Sequence, residues 1–184
     1  MSSSNAILDA AAELVKQRGV RRLQLSEIAR RAGVSRPTVY RRWSDVHAIV
    51  AALLTRQVQL IQAEVPLDGA DRSALVAAIV ETAVRIRDDE LLGGVLLADP
   101  DVVAEYTGQR LGNSQRRLLE ALRKAIVRGQ KAGTIRRGRA IEMAAMVLLI
   151  AQSTVLSHHL VAPVLPDPAW RRELANVLNG YLAP

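Results

Sequence analysis

The stretch Leu25–Trp43, LSEIARRAGVSRPTVYRRW, narrows the folds open to this 184-residue chain more than any other. Ser26 is placed to cap a short helix with Ile28, Ala29 and Ala32 on its apolar side, and Gly33 supplies the left-handed conformation that ends such a helix. Ser35 is placed to cap a second helix. Pro37 falls in its first turn, where a missing N–H costs little, and Val39 and Trp43, four residues apart, face inward. Two short helices joined by so tight a turn form a helix-turn-helix. The outward residues of the second helix, Arg36, Thr38, Tyr40, Arg41 and Arg42, can pair with phosphates, donate to base edges and pack against sugars. Such a helix is suited to a major groove.

Helical hairpins also occur in proteins that never touch DNA, so charge has to decide. Nine basic residues stand between Lys16 and Arg42 against one acidic residue, Glu27, a net +8 where the whole chain carries +7. The excess positive charge therefore lies around the hairpin and the remainder is close to neutral, as an electrostatic footprint for nucleic acid should look. The expected partner is double-stranded DNA. Arg22, Ser26, Ser35 and Pro37 join the outward set as expected contacts, and His47 could reach a phosphate when protonated.

The absence of cysteine excludes disulfides and thiolate metal sites and suits a reducing cytoplasm, the expected location. Ser2–Asn5 reads as a flexible lead-in rather than part of a signal peptide. With no phenylalanine, two tryptophans and three tyrosines, the core must be filled by Leu, Ile, Val and Ala, which suits helices packed on helices. The predicted fold is all-α, about nine helices, with a small N-terminal three-helix domain over residues 1–47 and a larger helical domain over 48–184.

Along the chain, Ile7, Ala10, Ala11, Leu14 and Val15 recur at helical spacing before Gly19. Ser44-Asp45 caps a long helix, with Val46, Ile49, Val50, Leu53, Leu54, Val58 and Ile61 as its stripe and Pro66 as its stop. This helix is the candidate lever between the two domains. A further stripe runs from Leu75 to Ile86. Gly93-Gly94 and Asp99-Pro100 predict breaks, with a short helix holding Val102, Val103 and Tyr106 after the second. A helix capped at Asn113 or Ser114 runs to Gly133.

Residues Ala140 to Val161 are apolar on nearly every side. A membrane span needs about 20 apolar residues, but Glu142, Gln152, Ser153, Thr154, Ser157, His158 and His159 interrupt this run. Burial on two sides, against its own core and against a partner subunit, is the expectation, and no membrane is expected. The last helix, from Pro168 to Leu182, would join it in a homodimer through Leu148, Leu149, Val155, Leu156, Leu174, Val177, Leu178 and Tyr181. An enzyme would have to use Ser157, His158 and His159 with the acidic residues near Asp88 or Asp99. Adjacent histidines on a helix point about 100° apart and do not converge on one metal, so they read as a polar patch. No cofactor or metal is called for, and no enzyme is expected.

The stretch IARRAGVSRPTVYRRW within an N-terminal three-helix unit, followed by a long helix and an all-helical domain ending in two apolar helices, resembles the tetracycline-repressor (TetR) family. The motif likeness covers about Ala6 to Leu54. By position, Arg36, Pro37 and Thr38 resemble the base-reading start of that family's recognition helix, and Tyr40 its phosphate-contacting tyrosine, with Arg41 and Arg42 beside it. One position departs: Val46 stands where the family usually has a lysine. The resemblance implies a homodimeric repressor of a palindromic operator, released when a small effector binds the larger domain and moves the lever. Tyr106, Met143, Met146, Gln152 and Trp170 are candidate liners of a largely apolar effector pocket. A DNA-binding factor without an effector, architectural or constitutive, is the alternative.

Overall fold

A computed structural model describes residues 3–69, 71–98 and 112–184. Among them lie nine α-helices, a short 3-10 turn at Val20–Arg22 and no strand. The helices are α1 (Ser3–Arg18), α2 (Leu25–Arg31), α3 (Arg36–Tyr40), α4 (Val46–Glu64), α5 (Arg72–Asp88), α6 (Glu90–Ala98), α7 (Asn113–Lys131), α8 (Ala140–Val161) and α9 (Asp167–Leu182). Two compact units result, one from Met1–Val58 with Asp89–Gly112, the other from Gln59–Asp88 with Asn113–Pro184.

In the first unit, α1 buries Ile7, Leu8, Ala10, Ala11, Leu14 and Val15 and packs on α2 and α6. Ile28, Val39, Ile49 and Leu53 are fully enclosed beside them. The amino-terminal residues Ser3–Asn5 belong to α1, so the expected flexible lead-in is instead a helical first turn. Gly93-Gly94 is also not a break, because α6 runs through both glycines. Each costs about 1 kcal/mol in a helix interior. Two things offset that: the Asp89 carboxylate accepts from the backbone N–H groups of Leu91 and Leu92 at 3.0 and 2.8 Å, and Leu91, Leu92 and Val95 are buried. The other oxygen of Asp89 accepts from Gln57 Nε2 at 2.6 Å, and Glu90 pairs with Lys16 at 2.8 Å. Tyr106 and the predicted helix around it lie outside the described residues.

The second unit packs α5, α7, α8 and α9 around Leu75, Ile79, Leu122, Ile126, Met143, Val147, Trp170, Leu174 and Leu178. Gly129 lets Ile135 close onto α7: a Cβ at Gly129 would stand 2.4 Å from Ile135 Cδ1. At one end of the unit, Arg136 Nε donates to the Tyr181 carbonyl at 2.8 Å, its guanidinium 4.7 Å above the Tyr181 ring. At the other end, Trp170 is held between the Arg87 guanidinium, 4.6 Å from its ring centre, and the His158 ring at 5.3 Å. Arg87 also pairs with Asp88 and Asp167. His158, expected in a polar patch, is buried, and its Nε2–H donates to the Leu165 carbonyl at 2.9 Å. The chain turns back on itself between α8 and α9 and encloses the ring, a tertiary effect that helix spacing does not carry.

Candidate nucleic-acid interface

Leu25, Ile28 and Ala29 anchor α2 in the core, and Gly33, at φ 65°, reverses the chain so that Val34 N–H reaches the Ala29 carbonyl at 3.0 Å. The residue capping α2 is Gln24, and its side chain makes no capping bond. Ser26 therefore does not cap: it lies half-buried inside the first turn, because burying Leu25 draws that residue into the helix.

The second helix starts as expected. Ser35 is extended, its Oγ accepts from the Thr38 backbone N–H at 3.4 Å and sits 2.8 Å from Thr38 Oγ1, and Pro37 occupies the first turn. Val39 is wholly buried and pins α3 to the core. Regular helix ends at Tyr40, but one more turn continues, with the N–H groups of Arg42 and Trp43 both donating to the Val39 carbonyl at 3.0 Å. That extension carries Arg41 and Arg42, both exposed. Arg36, Pro37, Tyr40, Arg41, Arg42, Arg22 and His47 are exposed, and Thr38 is half-buried.

The charges around the hairpin fall into two groups. Lys16 pairs with Glu90 and Arg31 with Glu13, both acids lying outside the Lys16–Arg42 stretch, while Arg18 holds the half-buried Glu27 at 2.6 Å. Arg22, Arg36, Arg41 and Arg42 have no carboxylate partner among the described residues. The positive charge left for a phosphate backbone is therefore concentrated on and beside α3. Next to it, an open depression of about 460 Å³ is lined by Gln24, Ser26, Glu27, Ala29, Arg30, Val34 and Arg36. Gln24 and Arg30 are rim residues that sequence reasoning did not single out; Arg30 was visible only as one charge among nine.

Helix α4 is capped by Asp45, whose Oδ1 accepts from Ala48 N–H at 2.8 Å while Oδ2 accepts from the Ser44 hydroxyl at 2.7 Å. Those two bonds, the backbone one first, hold the Asp45 carboxyl below its ordinary value. Val46 follows, half-buried, at the head of the stripe.

The family model for bacterial regulatory proteins of the tetR family matches residues 7–53. An HTH-type transcriptional regulator of Mycobacterium bovis is 49% identical over 176 residues, covering 96% of this chain and 92% of that one. The chain belongs to the TetR family. It is thus a DNA-binding transcriptional regulator and not an enzyme, which disposes of the Ser157–His159 alternative. Among solved structures, it is similar to SmeT in its triclosan complex, at 24% identity and a TM-score of 0.66, over all of this chain and 93% of that one. It is also similar to the R. erythropolis repressor QsdR, at 14% identity and a TM-score of 0.71, over 98% and 94%. These two likenesses show a shared TetR fold.

The residues expected at the dimer face and the pocket of this TetR-family chain stand in differing surroundings. Leu148, Leu174 and Leu178 fill the second unit's own core and offer a partner almost no surface, whereas Leu149 is 59% and Val177 52% exposed; Val155, Leu156 and Tyr181 are half-buried. Of the pocket candidates, Met143 and Trp170 are core residues, and Met146 faces outward. Gln152 accepts from Gln115 Nε2 at 2.7 Å.

Proposed function

We propose that this regulator is a homodimeric, ligand-responsive repressor acting in the cytoplasm on a palindromic operator. Residues 1–47 would read DNA, and residues 48–184 would dimerise and bind the effector. The single observation that carries the DNA end is the exposure of Arg36 and Tyr40 on α3, and of Arg41 and Arg42 just past it, on a helix that Val39 fixes to the core. Exposed Ile141, Met146, Leu149 and Val177 on α8 and α9 support the dimer, since separate apolar residues on neighbouring terminal helices are covered together when two copies meet. Helix α8 is long and apolar enough to cross a membrane, but Met143, Ala144, Val147 and Leu148 pack into the protein's own core, which supports the soluble reading. The triclosan complex of SmeT, which shares this fold, supports an effector.

Release by an effector requires that it prefer the conformation unable to bind DNA. The test is selection of bound sequences from random duplex, repeated with pooled small molecules. A palindromic motif that is lost in the presence of one compound is the expected result. A motif that no pool affects would favour the factor without an effector, and recovery of no motif would overturn the reading.

A further inference from the structure

The near-neutrality of the chain outside the hairpin is a cancellation. Between Asn113 and Arg139, nine basic residues face one acidic residue, a second net +8, and the rest of the chain carries −9. This second charge is ordered on a surface. On α7, Arg117, Lys124, Arg128 and Lys131 follow at intervals of seven, four and three residues, which places them on one helix face along roughly 21 Å. All four are exposed, and they stand opposite Leu122, Ala125, Ile126 and Gly129, which are buried. The exposed Arg137 and Arg139 follow α7 in the chain.

One acid stands on the stripe face, Glu120, three residues after Arg117 and four before Lys124, so the four cations keep a net positive charge. Glu120, the one acid on α7, is held by Arg123 through bonds of 2.8 and 2.7 Å, which keep its carboxyl below the ordinary value, and it lies 3.8 Å from Lys124. Arg128 donates to the Leu67 carbonyl at 2.7 Å and Arg117 lies against the Gln59 amide, contacts that position both side chains and leave their charge intact. Lys131 and Arg137 have no carboxylate partner among the described residues.

We infer that the Arg117–Lys124–Arg128–Lys131 stripe is a second, sequence-independent docking surface for the phosphate backbone of duplex DNA. Charge and shape favour this occupant. A line of cations fixed along a rigid helix complements a line of phosphates, which lie at one charge per about 1.7 Å of duplex axis. A membrane surface fits less well, because the apolar side of α7 is buried and no large apolar side chain is exposed on this helix. Single strands fit less well too, because no aromatic residue interleaves with the cations to stack on bases.

The inference rests on duplex DNA being this regulator's partner, and the test separates the two surfaces. In the full chain, the hairpin is silenced with Arg36→Ala, Tyr40→Phe, Arg41→Ala and Arg42→Ala, and binding to random-sequence duplex is measured at several salt concentrations. The expected result is residual binding whose logarithm falls with the logarithm of salt by about 0.9 per phosphate engaged, between three and four units for four contacts. Adding Lys124→Gln, Arg128→Gln and Lys131→Gln should abolish it, with helical circular dichroism unchanged. In a chain with an intact hairpin, the same three changes should lower the salt slope and leave the selected sequence motif as it was. If the triple variant does not fold, Lys131→Glu alone should still lower the slope. Absence of residual duplex binding, residual binding indifferent to the stripe changes, or a stripe whose loss alters only binding to phosphatidylserine vesicles or the oligomeric mass would each overturn the inference.

Discussion

Ser35 Oγ lies 2.8 Å from Thr38 Oγ1 and within reach of the Thr38 backbone N–H, so the first turn of the recognition helix is tied by the residue before it. Thr38 is thereby half committed to the cap as well as available to DNA. Ser35→Ala should cost about 1 kcal/mol of stability and weaken operator binding, with the preferred sequence retained. Denaturant unfolding beside operator titration checks this; a changed motif would mean that Ser35 reads bases.

Arg36 projects from the start of the same helix without a carboxylate partner. Arg36→Ala should cost roughly 1–3 kcal/mol on the operator and relax preference at one base position per half-site, while Tyr40→Phe should weaken all sequences alike. Comparison of motifs selected by each variant tests the orientation of α3, and an unchanged Arg36→Ala motif would contradict it.

The depressed Asp45 carboxyl has a defined pH signature. A group with a lowered folded-state value contributes stability that is whole above its ordinary value of 3.8 and is lost as pH falls through the lower folded-state value. Wild type should therefore exceed Asp45→Ala in stability at neutral pH, and the gap should close only below about pH 3.8. Urea unfolding of both proteins across pH, taken as a difference, isolates this carboxyl from the others.

Leu178 and Val177 are neighbours in sequence with opposite surroundings, the first wholly buried and the second half exposed. Leu178→Ala should lose about 2–5 kcal/mol of folding stability. Val177→Arg or Leu149→Arg should instead leave the protomer folded and shift its mass from dimer to monomer. Sedimentation together with circular dichroism distinguishes the outcomes, and an unshifted mass would place the dimer face elsewhere.

Val46 occupies the place of the family's usual lysine at the start of α4. Because the side chain is only partly buried, a longer one can extend to solvent without opening the core. Val46→Lys should tighten binding to specific and random duplex alike and steepen the salt slope by about one unit per half-site. An unchanged slope would show that the position faces away from the phosphates.

The hairpin was legible in the sequence because its signals are local: Gly33 must take a left-handed conformation, Ser35 caps within three residues, and Val39 marks the buried side. Helices α4, α5, α7, α8 and α9 were legible from apolar spacing, caps and stops. What the sequence concealed depends on contacts between distant segments. The Asp89 cap of α6 was a local signal that the glycine pair obscured, but the burial of Leu91, Leu92 and Val95 was not, and the pairing of Arg31 with Glu13 or of Lys16 with Glu90 removes charge that a count along the chain leaves standing. Leu178 and Val177 looked equally suited to an interface, because apolar spacing does not say which side of a helix meets its own core. The glutamine at position 24 gave no signal because its place on the rim follows from where the helix begins.

Helix α6 belongs to the unit that carries the hairpin, although the thirty residues Gln59–Asp88 of the other unit come between them in the chain. The DNA-reading part is therefore not a cassette that can be excised at one joint. A hybrid regulator spliced just after α4 would set one parent's α1 against the other parent's Leu91, Leu92 and Val95, and would pair its Gln57 with a foreign residue 89. A two-joint exchange that moves Glu90–Ala98 and its Asp89 cap with the hairpin keeps those surfaces matched. Among relatives that diversify by recombination, operator preference and the sequence of α6 should accordingly travel together as one inherited trait.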